Sequence, residues 1–139
     1  MKVLTIKEPF ATLIKDGIKI YETRSWKTNY RGEIYIHAGK SFSKSANITI
    51  ASNYLKSKPN PSHILCKCIL KDCILMTPQF IKEVQKNQQE FNSGRYEVGR
   101  YAWQLEVVEI LEEPIYTKGK LGIWTYEKHE QIVLQTVDK

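Results

Sequence analysis

One stretch of eight residues, Gly17-Ile18-Lys19-Ile20-Tyr21-Glu22-Thr23-Arg24, limits what this chain can fold into more than any other. It follows a short segment in which Phe10, Leu13 and Ile14 recur at the i, i+3, i+4 spacing of one buried helix face, with Pro9 suited to the first helical position. Gly17 takes a positive φ without steric cost, so it ends that helix and turns the chain. An extended run follows, in which side chains two apart share a face. Glu22 and Arg24 therefore point the same way, while Tyr21 and Thr23 point the other. A carboxylate and a guanidinium are placed side by side at the start of a strand.

The remainder reads as short strands with a few interposed helices, an α+β pattern. Val3 to Ile6 form a first strand, and Glu33 to Ala38 alternate as another, with Ile34 and Ile36 on one face and Tyr35 and His37 on the other. Trp26 to Gly32 have the turn residues and basic-aromatic mixture of an exposed loop. Asn47 to Leu55 can form a helix, weakened by the β-branched Ile48, Thr49 and Ile50. His63 to Leu75 suit one long or two short central strands. Thr77-Pro78 gives an N-cap and first turn for a helix burying Phe80, Ile81 and Val84. Gln85 to Gly94 are polar and read as a mobile excursion. Tyr101 to Leu111 alternate most clearly of all, Pro114 ends the turn region after them, and Lys118 to Gly122 form a glycine-basic loop. Beyond Trp124 the pattern leaves open a last strand or a docked tail.

Charge sorts along the chain. The formal net charge is +6, and residues 1–58 carry 11 Lys and Arg against 4 Asp and Glu, whereas residues 105–139 carry 4 against 7. A basic region interleaved with Tyr21, Trp26, Tyr30 and Tyr35 suits phosphate attraction plus base stacking; a solvated basic surface is the plainer alternative. No apolar run is long enough to span a bilayer, and Lys7, Glu8 and Pro9 interrupt the N-terminus, so no signal peptide or membrane segment is expected and the chain reads as cytoplasmic. The 139 residues suit a single domain, spanning 1–139, that buries roughly two-thirds of its unfolded surface. Cys66, Cys68 and Cys73 are odd in number and lack the further ligands zinc needs, so they read as reduced strand cysteines with no metal and no cofactor implied. His37, alone near a strand end, reads as a structural histidine. Gly39 to Ser45 have the composition of a phosphate-gripping turn without its full pattern.

The pattern G-x-K-x-x-E-x-R after a helix resembles the signature of the ASCH domain, a small barrel related to the PUA family of RNA-binding modules. The resemblance continues through Arg31-Gly32-Glu33-Ile34-Tyr35-Ile36-His37-Ala38-Gly39-Lys40, Tyr101-Ala102-Trp103, Pro114, and Lys118 to Trp124. It implies a PUA-like β-barrel with flanking helices and a cleft lined by Lys19 and Glu22. For both to reach one cleft, Lys19 must still belong to the turn after Gly17, because strict alternation sets them on opposite sides.

Two functional readings follow. In a binding module for RNA or a modified nucleotide, Lys19, Arg24, Arg31 and Lys40 meet phosphates, Trp26 or Trp103 stacks on a base, and Glu22 accepts from a base amino group. In a hydrolase of ribonuclease or amidohydrolase type, Lys19 and Glu22 are the catalytic pair, Lys19 with its pKa lowered by burial. The plain structural alternative is that Glu22 pairs with Arg24 and tethers the strand. In the amidohydrolase branch of the family, which deacylates the cytosine amino nitrogen, a threonine nucleophile stands where this chain has Glu22. Thr23, one step along the strand, is expected to point away from the cleft. This departure favours binding over a named reaction. Protein partners are not specified by the sequence.

Overall fold

The computed structural model describes residues 1–45 and 47–127. Its scaffold is one six-stranded mixed sheet built from β1 (Lys2–Glu8), β2 (Tyr21–Arg24), β3 (Gly32–Phe42), β4 (His63–Leu75), β5 (Tyr101–Tyr116) and β6 (Ile123–Thr125), in the order β2-β5-β4-β3-β1-β6. The β1–β3 pair is parallel and the others are antiparallel. The α+β class expected from the pattern is met, but the barrel is not. Among the described residues the pairing runs as an open series with the four-residue β2 and the three-residue β6 at its two edges. Closure would need those two short strands to pair with each other, and a few residues give little ladder to join.

The four helices among the described residues are short: α1 (Phe10–Lys15), α2 (Ile48–Ser52), α3 (Pro78–Val84) and α4 (Gln88–Phe91). No described helix is long and apolar enough to cross a membrane. α1 buries Ala11, Thr12, Leu13 and Ile14 against the sheet, and Pro9 sits at its N-cap rather than inside its first turn. Gly17 follows with φ +78, the left-handed turn that the glycine allows. α2 is shorter than the span expected, as its β-branched residues foretell. Thr77 caps α3 by accepting from the Phe80 N–H at 3.1 Å, with Pro78 in the first turn.

The core lies between α1 and the sheet: Leu4 and Ile6 of β1, Ile34 and Ile36 of β3, Cys66, Cys68 and Leu70 of β4, and Trp103 and Leu105 of β5 are all buried together. Cys66 and Cys68 are free and buried, as strand residues sharing one face. His63–Leu75 forms a single long strand whose register against β5 shifts three times. One of those shifts takes in residues 111–114, so Pro114 lies inside β5, in a bulge where a missing N–H costs no ladder bond. β3 runs through Gly39 to Phe42, so the Gly39–Ser45 segment, with the composition of a phosphate-gripping turn, is partly strand. Of the undecided end, Ile123–Thr125 is a strand, and residues 128–139 lie outside the described residues.

The expectation of a mobile excursion over residues 85–94 is overturned. This segment forms α4 and carries two of the few buried polar side chains, Glu90 and Ser93. The Glu90 carboxylate and the Ser93 carbonyl are paired with groups of the motif, where a composition-based reading takes the stretch for solvated.

Glu8 is also fully buried. Its carboxylate accepts from the Thr12 N–H at 2.8 Å, the Thr12 hydroxyl and the Asn60 N–H at 2.9 Å, closing the start of α1 and tying it to the loop before β4. Glu8→Ala leaves these donors without a partner and should lower stability by about 2–4 kcal/mol, read as a reduced urea midpoint at unchanged m-value.

Candidate functional site

A cleft of about 900 Å³ opens between the motif, the 93–100 segment and the loop before β6. Lys7, Lys19, Arg24, Arg95, Arg100 and Lys120 line it against only Glu22 and Glu97, a formal surplus of four positive charges. A concave, cation-rich wall of this kind concentrates anions.

At its inner end sit the three charged residues of the motif. The positive-φ turn at Gly17 keeps Lys19 out of the strand, and the Ile18 and Lys19 N–H groups both donate to the Leu13 carbonyl, at 3.0 and 3.1 Å. The condition for Lys19 and Glu22 to share one cleft is thus met: β2 begins only at Tyr21. Lys19 is 1% exposed, its Nζ donates to the Ser93 carbonyl at 2.5 Å, and it stands 5.4 Å from the centre of the Phe10 ring. Burial pushes its pKa below the ordinary lysine value, against the pull of the Glu22 and Glu90 carboxylates, and Arg24 adds to the lowering.

Glu22 and Arg24 share a face as the alternation requires. Arg24 Nε donates to Glu22 Oε2 at 3.1 Å, and Nη2 lies 3.0 Å from the same oxygen as an ion pair while donating to the Thr5 carbonyl at 2.9 Å. Its guanidinium lies 5.9 Å from the Trp103 ring. Three fixed contacts hold the pair in one geometry while leaving Glu22 Oε1 and Arg24 Nη1 without a partner among the described residues. The pinned pair therefore keeps one acceptor and one donor unused.

Other expected site residues fall elsewhere. Trp103 is fully buried in β5, its indole N–H donating to the Trp26 carbonyl at 3.3 Å, so it cannot stack on a base; it is a core residue and the floor beneath Arg24. Trp26 is 41% exposed as its loop position requires, but it packs edge-on against Trp103 at 4.8 Å and does not line the cleft. Arg31 folds back onto the Thr28 and Tyr30 carbonyls and reaches Asp72 at 3.7 Å, and Lys40 is exposed on β3; neither lines the cleft. Thr23 does line it, contrary to the alternation argument, because β2 is an edge strand around which the cleft wraps. Its hydroxyl accepts from the Arg95 N–H at 3.1 Å.

The residues that sequence reasoning missed come from α4 and its flank. Glu90 Oε1 accepts the Ile20 N–H at 2.7 Å and Oε2 the Tyr96 hydroxyl at 2.8 Å, so its buried carboxylate fastens α4 to the backbone of the motif and sets the Ser93 carbonyl against Lys19. An acidic residue in a polar stretch carries no periodic signal; only the tertiary contact reveals it. His37 is structural, as read. Its Nε2–H donates to the Thr117 carbonyl at 2.7 Å and its Nδ1 accepts from the Thr5 hydroxyl at 3.1 Å. Burial pushes its pKa below the ordinary histidine value, opposed by the Thr117 hydrogen bond. Among the described residues no group of His, Cys, Asp and Glu is arranged to hold a metal ion.

Residues 4–132 match the ASCH domain, and the chain belongs to that family. Among matching solved structures, that of a mutant ZmASCH protein from Zymomonas mobilis superposes with a TM-score of 0.56 at 14% identity, covering 98% of this chain and 96% of that one. At that identity the likeness carries the fold alone. No curated protein matches the chain.

The lowered lysine pKa has a measurable consequence. Between the folded-state value and the ordinary 10.5, the unfolded chain holds more protons at Lys19 than the folded one, so folding gains stability as pH rises through that window. In parallel urea titrations the wild type should gain stability relative to Lys19→Met with rising pH; parallel curves would mean that Lys19 is not desolvated.

Proposed function

We propose that this ASCH domain binds RNA or a modified nucleotide in the basic cleft around Gly17–Arg24. The observation that carries this reading is the pinned Glu22–Arg24 pair at the inner end of a cationic cleft, with Oε1 and Nη1 left over. An unused acceptor and an unused donor on one pinned pair suit hydrogen bonds to a nucleobase, which carries amino or imino donors and ring or carbonyl acceptors. The outer cations, Lys7, Arg95, Arg100 and Lys120, supply phosphate contacts. The volume of about 900 Å³ suits one or two nucleotide units held deep, with the rest of a strand over the rim. The family's kinship with RNA-binding modules points the same way. Lys19 acts here by charge within the wall: it is buried, with one Nζ donor on the Ser93 carbonyl, and the phosphate contacts fall to the outer cations.

Binding should weaken with salt, since phosphate contacts release counterions. For single-stranded RNA each contact contributes roughly 0.7 to the log–log slope, so replacing Arg95 and Lys120 together by Ala should flatten the slope by about 1.4. Fluorescence anisotropy of a labelled oligonucleotide at several ionic strengths reads this, and an unchanged slope would place the RNA elsewhere.

A hydrolase reading is favoured by one feature, the desolvated Lys19 in the same cleft as Glu22. Deacylation of N4-acetylcytidine through a covalent intermediate nevertheless needs a hydroxyl held beside a base where Glu22 stands, and the Thr23 hydroxyl, although it lines the cleft, accepts from the Arg95 N–H and makes no hydrogen bond to a base among the described residues. Chromatography of N4-acetylcytidine incubated with the protein should show no turnover on the order of one per second. Turnover at that rate, lost in Glu22→Gln, would replace the binding reading with an enzymatic one.

A further inference from the structure

The cleft is rich in charge and poor in surface on which a nucleobase could lie. Neither Trp26 nor Trp103 lines it. Of its apolar lining residues, Ile6 is 2% exposed and belongs to the core, and Phe10 has the Lys19 ammonium over its ring. Leu121 remains, and it is 98% exposed. A single exposed leucine on an open surface is ordinary. This one stands at the rim of a charged cleft on a loop whose base is fixed.

The fixing is specific. At the start of the loop the Thr117 carbonyl is held by His37 Nε2 at 2.7 Å. Gly119 then packs so tightly that a Cβ on it would lie 2.8 Å from Thr5 Oγ1 and 2.9 Å from His37 Cε1, and Gly122 closes the loop with φ +65. Trp124 just beyond donates its indole N–H to Thr5 Oγ1 at 2.9 Å, and Lys120 Nζ lies 6.0 Å from the Trp124 ring. Thr5 therefore anchors both ends of the arrangement: its side chain holds the loop, and its carbonyl holds Arg24. The tip, Lys120-Leu121, is presented in fixed relation to the Glu22–Arg24 pair, a cation and an apolar side chain in adjacent positions.

Resting on the reading of the cleft as a nucleotide site, we infer that Leu121 is its base-contacting residue: the loop tip covers the face of a nucleobase with Leu121 while Lys120 meets the phosphate. The ligand class is then a base-bearing nucleotide and not a bare phosphate or sugar phosphate. The apolar surface of Leu121 leaves water only when such a face covers it. Because the side chain is 98% exposed, its replacement alters ligand contact without disturbing the fold.

The test is an NMR titration of wild type, Leu121→Ser and Leu121→Met with adenosine 5′-monophosphate, cytidine 5′-monophosphate and ribose 5-phosphate. Wild type should bind the better nucleotide at least several-fold more tightly than ribose 5-phosphate. Leu121→Ser should weaken that nucleotide by roughly tenfold, the loss expected for uncovering one leucine side chain, and leave ribose 5-phosphate unchanged, while Leu121→Met retains the preference. Nucleotide binding to Leu121→Ser as tight as to wild type overturns the inference and leaves the cleft reading intact. Equal loss of nucleotide and sugar phosphate also overturns it, since Leu121 would then support the part of the ligand that both probes share and not the base. A wild type that binds no probe overturns both readings.

Discussion

A lysine ammonium cannot be taken out of water unless oxygen atoms meet it, and the burial of Lys19 dictates much of this molecule's architecture. The oxygen that meets it is the Ser93 carbonyl, at the end of a segment 74 residues away in sequence. To bring it there, α4 must lie across the motif, and Glu90 holds it by taking the Ile20 N–H and the Tyr96 hydroxyl. The 93–100 segment then becomes a wall of the cleft and contributes Arg95 and Arg100. Lys19 thus shapes the cleft as much as it charges it.

The second organising contact is the clasp of Arg24 between Glu22 and the Thr5 carbonyl. It joins β2 at one edge of the sheet to β1, which lies next to the other edge, across strands that do not pair with each other. The open sheet is drawn around the cleft by this contact, in place of the ladder that would close a barrel. Trp103, read from the sequence as a possible stacking platform, serves that clasp from beneath as the aromatic floor of Arg24.

What could be read from the sequence was whatever local geometry determines. The glycine turn at Gly17, the shared face of Glu22 and Arg24, the Thr77 cap and the alternation of β5 depend on residues close in sequence, and the structure agrees with each. What could not be read depends on distant groups. Glu90 and Ser93 sit in a polar stretch, and nothing in that stretch distinguishes a carboxylate buried on the motif from one in water. Pro114 reads as a terminator until the bulge opposite β4 removes the need for its N–H. Strict alternation placed Thr23 away from the cleft, and it failed because an edge strand can be approached from both sides. Arg31 and Lys40 carry the right charge, but charge alone does not say which cations converge; only Lys19 and Arg24 of those anticipated do.

The central claim is that ligand occupies the cleft between the motif, the 93–100 segment and the loop before β6, and not the broader basic face. Amide chemical-shift mapping on titration with a short single-stranded RNA tests it most directly. The largest changes should fall at Arg24, Gly94, Arg95 and Lys120 to Gly122, with Arg31 and Lys40 unmoved. Changes concentrated at Trp26, Arg31 and Lys40, with the cleft residues silent, would contradict it.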